Sequence, residues 1–427
     1  MLTVPKVFRQ WFPLAASWAL MGAEGPLFTW FIASMAEQKI NLAAFGSIAF
    51  PIALVVEGPI IMLLAASTAL CRDWDSYRKV RRFMYAAAAA LTLLHILVAF
   101  TPLYDLIAGK IIGVPEDILA PGRLGLQILT PWTAAIAYRR FLQGVMIRFG
   151  KARLVMMGTG LRLLVLLTTL TLMRATGSFS GIIVGTTAIA AGVVAEAIFA
   201  RWAVGPILRE QMPQTDTSQE RITRKSFLHF YIPLAMTPLL TLFIGPAGSA
   251  AMSRMPNAEL SLPAWQVVHA IVFLTRSTGF AFNEVVVAQW DQPGAKQALT
   301  KFALSIALST SGVLILIAAT PLCDLILGDL YHLEPDLKAV CATALLFAMF
   351  MPAYQAFQSL FQGQLVHSKL TRGITEAVAL YVIVALTGLQ VSVWWGAFTG
   401  IYAALTVFSI GGILQTFWLA KRANLQT

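Results

Sequence analysis

The chain has 427 residues, 58% of them hydrophobic and only 12% charged. That balance excludes a water-soluble globule, and runs of about 20 apolar residues, the length that crosses a bilayer, recur from end to end. The net charge of +11 does not call for nucleic acid, because the Lys and Arg residues collect between spans on one side, as the positive-inside rule requires of a membrane protein.

Twelve spans are predicted, at 9–34, 42–70, 83–107, 121–142, 153–174, 179–200, 226–253, 261–290, 300–326, 338–361, 371–391 and 393–420. The first carries Glu24-Gly25-Pro26 and the second Glu57-Gly58-Pro59. A signal peptide is excluded for the first, since its apolar run is too long and holds an acid. The third and ninth end in Thr-Pro-Leu-x-Asp-Leu-Ile, read as a helix-ending signal that includes Asp105 and Asp324. Arg139-Arg140 marks a cytoplasmic helix end, Arg162 lies mid-span in the fifth, and Glu196 lies toward the cytoplasmic end of the sixth. The polar stretch at 209–226 is linker-sized. The seventh span keeps Gly245-Pro246 without an acid, and the eighth holds Arg276 and Glu284. His95 and His269 are expected to bond within the core, Cys71, Cys323 and Cys341 to stay unpaired, and Trp11, Trp30 and Trp394 to sit at the membrane interfaces. Charge placement puts both termini in the cytoplasm of a multi-pass cell-membrane protein, expected in a bacterial inner membrane.

The chain repeats itself. Residues 12–26 match 232–246 at a shift of 220, TPLYDLIAG (101–109) matches TPLCDLILG (320–328) at 219, and Leu142-Gln143-Gly144 falls on Phe361-Gln362-Gly363. Each half holds six spans, so both enter the membrane the same way. The expected architecture is all-α: two six-helix lobes related by a pseudo-two-fold axis along the membrane normal, a design found in alternating-access transporters. The lobes are expected at 1–208 and 226–427, joined by a cytoplasmic linker at 209–225.

An ionised side chain in mid-bilayer costs about 2.5–3.5 kcal/mol on insertion scales, so each one needs a reason. Pro26 and Pro59 free the carbonyls of Gly22 and Val55, and an acid two residues earlier adds a second oxygen. Glu24 and Glu57 are therefore assigned to the coupling cation, H+ or Na+. At a shift of 220, Glu57 falls on Ser277, beside Arg276. The planar fork of Arg276 suits a carboxylate or phosphate, with Glu284 and Arg162 as further substrate contacts. The alternatives are internal ion pairs, Arg276 with Glu284 or a first-lobe acid, and Arg162 with Glu57. Walker A, His-Glu-x-x-His, Gly-x-Ser-x-Gly and Cys-x-x-Cys sequences are absent, so no ATP-driven or hydrolytic chemistry and no cofactor or metal is expected.

With twelve helices in two lobes and an acid in mid-helix 1, the chain resembles the multidrug and toxic compound extrusion (MATE) transporters. These belong to the superfamily that includes oligosaccharidyl-lipid and polysaccharide flippases. Within that group it is most similar to the progressive ankylosis protein family, through LAAFG (42–46), Gly58-Pro59, PLAM (233–236), Ser253-Arg254 and Glu284. The resemblance implies alternation of the two lobes, driven by a proton or sodium gradient, with export from the cytoplasm. The ankylosis branch implies anions such as pyrophosphate or citrate. The chain lacks the long acidic tail of the animal members. The expectation is a secondary active exporter, not an enzyme, of a small anionic or zwitterionic solute, acting as a monomer in the lipid bilayer without nucleic acid. The alternatives are a multidrug exporter of organic cations, a flippase for a lipid or lipid-linked sugar, and a membrane enzyme on a lipid phosphate.

Overall fold

The computed structural model describes residues 2–214, 223–368 and 372–424, and every regular element among them is helical. Twelve long helices stand where the twelve spans are expected. They are α1 (Val4–Ala33), α2 (Gln38–Leu70), α3 (Trp74–Phe100), α4 (Glu116–Ile128 continued by Thr130–Arg148), α5 (Ala152–Thr176) and α6 (Gly181–Gln211). In the second half they are α7 (Arg224–Leu242 continued by Ile244–Met252), α8 (Ala258–Gln289), α9 (Ala295–Ala319), α10 (Pro335–His367), α11 (Arg372–Trp395) and α12 (Gly400–Asn424). Among the described residues nine of these, all but α1, α4 and α7, are long and apolar enough to cross a bilayer. Of the expected linker, residues 215–222 lie outside the described residues.

α3 and α9 stop at their Thr-Pro pairs, several residues short of the predicted ends, because proline cannot continue the hydrogen-bond ladder. Both copies of the motif then wind into a π-helical turn, Asp105–Ile112 and Asp324–Leu330. Asp105 pairs with Arg123, and Asp324 with Lys338 at 2.8 Å. The duplicated aspartates are thus structural, as the sequence suggests. At the Gly-Pro sites α1 runs on through Pro26, whereas the helical stretch of α2 that holds Pro59 ends at Ile61, with a turn at Met62 before α2 resumes. The carbonyl of each proline accepts a tyrosine hydroxyl, Tyr331 on Pro26 at 3.2 Å and Tyr231 on Pro59 at 2.5 Å.

The chain divides into two compact units: unit I, Met1–Ala43 with Ala247–Thr427, and unit II, Ala44–Pro246. These cross the boundaries expected from the repeat, 1–208 and 226–427. In unit I, α1 runs antiparallel to α8, with Gly22 against Ser277, Gly25 against Ala270, and the Gln266 amide donating to Thr29 Oγ1 at 3.0 Å. In unit II, α7 lies along α2, with Gly58 against Leu239 of its first part and Pro51 against Gly245 at the start of its second. Each half therefore gives its first helix to the other half's bundle. Glycines facing small or flexible residues make both approaches close. Val7 of α1 is accordingly buried in one core with Phe282, Leu299, Phe302 and Leu360.

Helix crossings fix the register of the repeat. A Cβ on Gly144 would meet Ser67 Oγ and the Leu64 carbonyl, and one on Gly363 would meet Val286 and the Asn283 carbonyl. Gly192 lies on Arg162, and Gly411 on Tyr381. All these partners differ by 219. The 220 read from the first helices is one residue too long for the rest of each half, so Glu57 is the counterpart of Arg276 itself, not of Ser277.

Candidate functional site

Unit II holds a buried charge cluster on four helices. Glu196 of α6, expected near a helix end, is wholly buried. Its Oε2 accepts from Arg139 Nη1 of α4 at 2.7 Å and lies 3.7 Å from Arg162 Nε of α5. Its Oε1 accepts from Gln143 Nε2 at 2.9 Å and from Thr159 Oγ1 at 3.4 Å. Arg139 is likewise buried, so Arg139-Arg140 does not end a helix at the membrane surface: the second part of α4 runs from Thr130 to Arg148 around them. The polar side chains answering Glu196 make that burial tolerable.

Glu57 of α2 stands at the edge of this cluster, 4% exposed, and its Oε2 has no hydrogen-bond partner among the described residues. Arg140 and Arg139 are among the charges near it. Arg140 Nε is also buried without a partner among the described residues. Among the described residues of unit II, Arg139, Arg140 and Arg162 share the cluster with Glu57 and Glu196.

The equivalent region of unit I has a different chemistry on the same frame. Arg139 and Glu196 are replaced by Gln358 and Gln415, whose side chains bond at 3.1 Å. Arg162 is replaced by Tyr381. Arg276, in the place of Glu57, donates from Nη2 to Gln355 Oε1 at 2.8 Å and lies against the rings of Tyr354 and Phe280. Among the described residues it meets no carboxylate, and its Nε is buried without a hydrogen-bond partner. It borders a cavity of about 20 Å³, room for a water molecule, walled by Trp265, His269, Phe273 and Met351.

No family model matches the chain, and no curated protein matches its sequence. Solved structures do. A multidrug-resistance MATE transporter of the MOP superfamily in an inward-facing conformation is 14% identical, with a TM-score of 0.70 over 96% of this chain and 95% of that one. An outward-facing MATE transporter of the same superfamily is 12% identical, with a TM-score of 0.60 over 98% and 95%. The lipid II flippase MurJ, in an inward closed conformation, is 14% identical, with a TM-score of 0.73 over 97% of this chain and 87% of that chain. The chain has the MATE fold.

On this MATE fold the sequence-predicted residues fall into two groups. Glu57 and Arg162 belong to unit II with the buried cluster, while Glu24, Arg276 and Glu284 belong to unit I. Glu24 is half-buried on α1. Glu284 is exposed on α8, and among the described residues no ion pair joins it to Arg276. His95 bonds Thr133 and the Leu126 carbonyl as expected, and the three cysteines are free, while His269 is seen against the rings of Trp265 and Phe273. Arg139, Arg140, Gln143 and Glu196 escape a span-by-span reading, which takes charges near a predicted boundary for interfacial ones. The signal that finds them is the 219 register, which sets a buried ion pair opposite a buried amide pair.

Proposed function

We propose that this chain is a secondary active transporter that exports a small solute bearing an anionic group, by alternating access, driven by a proton or sodium gradient. The observation that carries the reading is Arg276, a guanidinium on a small cavity that meets an amide and two aromatic rings but no carboxylate among the described residues. A half-buried cation left that way favours an anion arriving from outside the fold. Glu57 and Glu24, one in each unit, are the coupling residues in this reading, and the inward- and outward-facing MATE structures on the same fold support alternation.

The test is uptake into proteoliposomes of candidate organic anions and phosphate compounds under imposed proton or sodium gradients. Arg276→Ala should raise the apparent KM for anions by about tenfold or more, the scale of one lost charge-assisted contact. Glu57→Gln should abolish gradient-driven accumulation. Unchanged anion affinity in the first variant removes Arg276 from the substrate site. Full coupling in the second removes Glu57.

A second reading, a flippase for a lipid-linked phosphate, is favoured by the buried arginines of unit II and by the likeness to MurJ, itself a lipid II flippase. Movement of a fluorescent lipid phosphate between leaflets, with no uptake of soluble anions, would select it.

A further inference from the structure

Helix α8 crosses unit I with one face open. Between Pro263 and Val287 its exposed residues are His269, Phe273 and Glu284, and the half-buried Trp265, Arg276 and Phe280 stand on the same side. Their spacing keeps all six within about 100° around the helix. Charged and polar side chains on a membrane helix face the bundle interior or a water-filled cavity, not hydrocarbon, so this open face is a wet one.

It is also a line of rings. The centroids of Trp265 and His269 are 5.4 Å apart, those of His269 and Phe273 6.2 Å apart with the planes 25° from parallel, and those of Phe273 and Phe280 6.1 Å apart. Rings from other helices of unit I cover both ends, Phe408 of α12 against Trp265 at 5.7 Å and Trp18 of α1 against Phe280 at 5.4 Å. The middle is left open: among the described residues His269 and Phe273 meet rings only within α8.

Arg276, one turn beyond Phe273, is held but not neutralised. Its Nη2 donates to Gln355 Oε1, and its guanidinium lies 5.4 Å and 5.9 Å from the ring centres of Tyr354 and Phe280. These contacts fix the fork beside the cavity that His269 and Phe273 also wall, while Nε has no hydrogen-bond partner among the described residues. About 20 Å³ is room for one water, or for one oxygen of an acid group, but not for the body of a solute. The body has to lie outside the cavity, against the two open rings.

A flat ring laid on those rings gains stacked or edge-to-face contact beyond the area it buries, which a saturated skeleton does not. Aromatic rings alone would also suit an organic cation, but Arg276 repels one. We propose that this face of α8 binds an aromatic anion, its flat ring on His269 and Phe273 and its carboxylate or phosphate on Arg276. The inference rests on the reading of the chain as an exporter of an anion-bearing solute, and it names the rest of that solute.

The test measures equilibrium binding to the purified full chain, and uptake into proteoliposomes, of matched pairs: benzoate with cyclohexanecarboxylate, phenylacetate with cyclohexylacetate, and phenyl phosphate with cyclohexyl phosphate. The members of a pair share their charge, and the saturated ring is at least as apolar, so a plain apolar surface does not favour the aromatic one. At least one aromatic member should bind about fivefold or more tightly than its match, the scale of one or two ring pairs. Phe273→Leu, which keeps an apolar side chain without a ring, should at least halve that preference. The double variant His269→Leu with Phe273→Leu should bring the pair within about twofold, and Arg276→Ala should weaken both members about tenfold or more. Thermal unfolding of each variant checks that it is folded. Saturated acids that bind as tightly as aromatic ones, or a preference that survives the double variant intact, would overturn the aromatic site while anion export stands. So would the failure of every pair when other anions are transported. If no anion of any kind is bound or transported, both readings fall.

Discussion

Arg139 and Glu196 show what a charge deep in this fold requires. Removing one partner of a buried, hydrogen-bonded pair leaves the other charge uncompensated, at a cost of about 3–5 kcal/mol, whereas replacing both can be nearly neutral. Arg139→Ala should therefore lower the stability of the purified protein by about that amount. The molecule also contains its own design for the repair: at the same register the other half joins the same two helices with Gln358 and Gln415. The double variant Arg139→Gln with Glu196→Gln should recover most of the loss, to within about 1 kcal/mol of wild type, because the amide pair keeps a hydrogen bond without a buried charge. Thermal unfolding in detergent decides. A double variant no more stable than Arg139→Ala would mean that Arg162 and Gln143 need the carboxylate, and that the two halves are not interchangeable at this point.

Helices in this molecule meet through glycine, and the repeat keeps the glycine where the neighbour is backbone. A side chain at Gly144 runs into the Leu64 carbonyl, which cannot swing aside as a side chain could. Gly144→Val and Gly363→Val should each destabilise by about 1–3 kcal/mol or more, the cost of overpacking. Gly160→Ala on α5, with nothing within 4 Å, should stay within about 0.5 kcal/mol of wild type. Unfolding curves of the three variants measure the contrast, and equal effects at all three positions would remove the close-packing account. These elements were largely legible in the sequence: the twelve apolar runs stand as twelve helices, and the Leu-Gln-Gly and Phe-Gln-Gly matches mark equivalent crossings. What the sequence hid was packing. A Gly-Pro in an apolar run reads as a break, but α1 runs on through Pro26, and α2 turns only at Met62, beyond Pro59. Arg139 reads as a surface charge because its partner lies 57 residues away on α6. A single misplaced residue in the repeat shift concealed that Glu57 and Arg276 are counterparts.

At the scale of the whole molecule, the exchange of first helices decides what moves with what. The repeat alone assigns α1 to the first half, yet α1 belongs to unit I through Trp11 Nε1 on the Thr278 carbonyl at 2.9 Å, Gly22 on Ser277 and Gln266 on Thr29. If alternation moves the units as bodies, α1 travels with α8–α12, and Glu24 and Arg276 move together while Glu57 stays with the arginine cluster of unit II. A disulfide joining α1 to α8 tests this. A Cβ at position 22 would stand 3.2 Å from that of Ser277, a few tenths of an ångström short of common disulfide spacing. The pair Gly22→Cys and Ser277→Cys, in a chain whose three native free cysteines are replaced, should cross-link on oxidation. Transport should then persist at about half or more of the reduced rate, since the bond lies within one compact unit. Complete, reversible loss on oxidation would show instead that α1 slides against α8 during the cycle. Glu24 would then approach and leave Arg276 with each turnover.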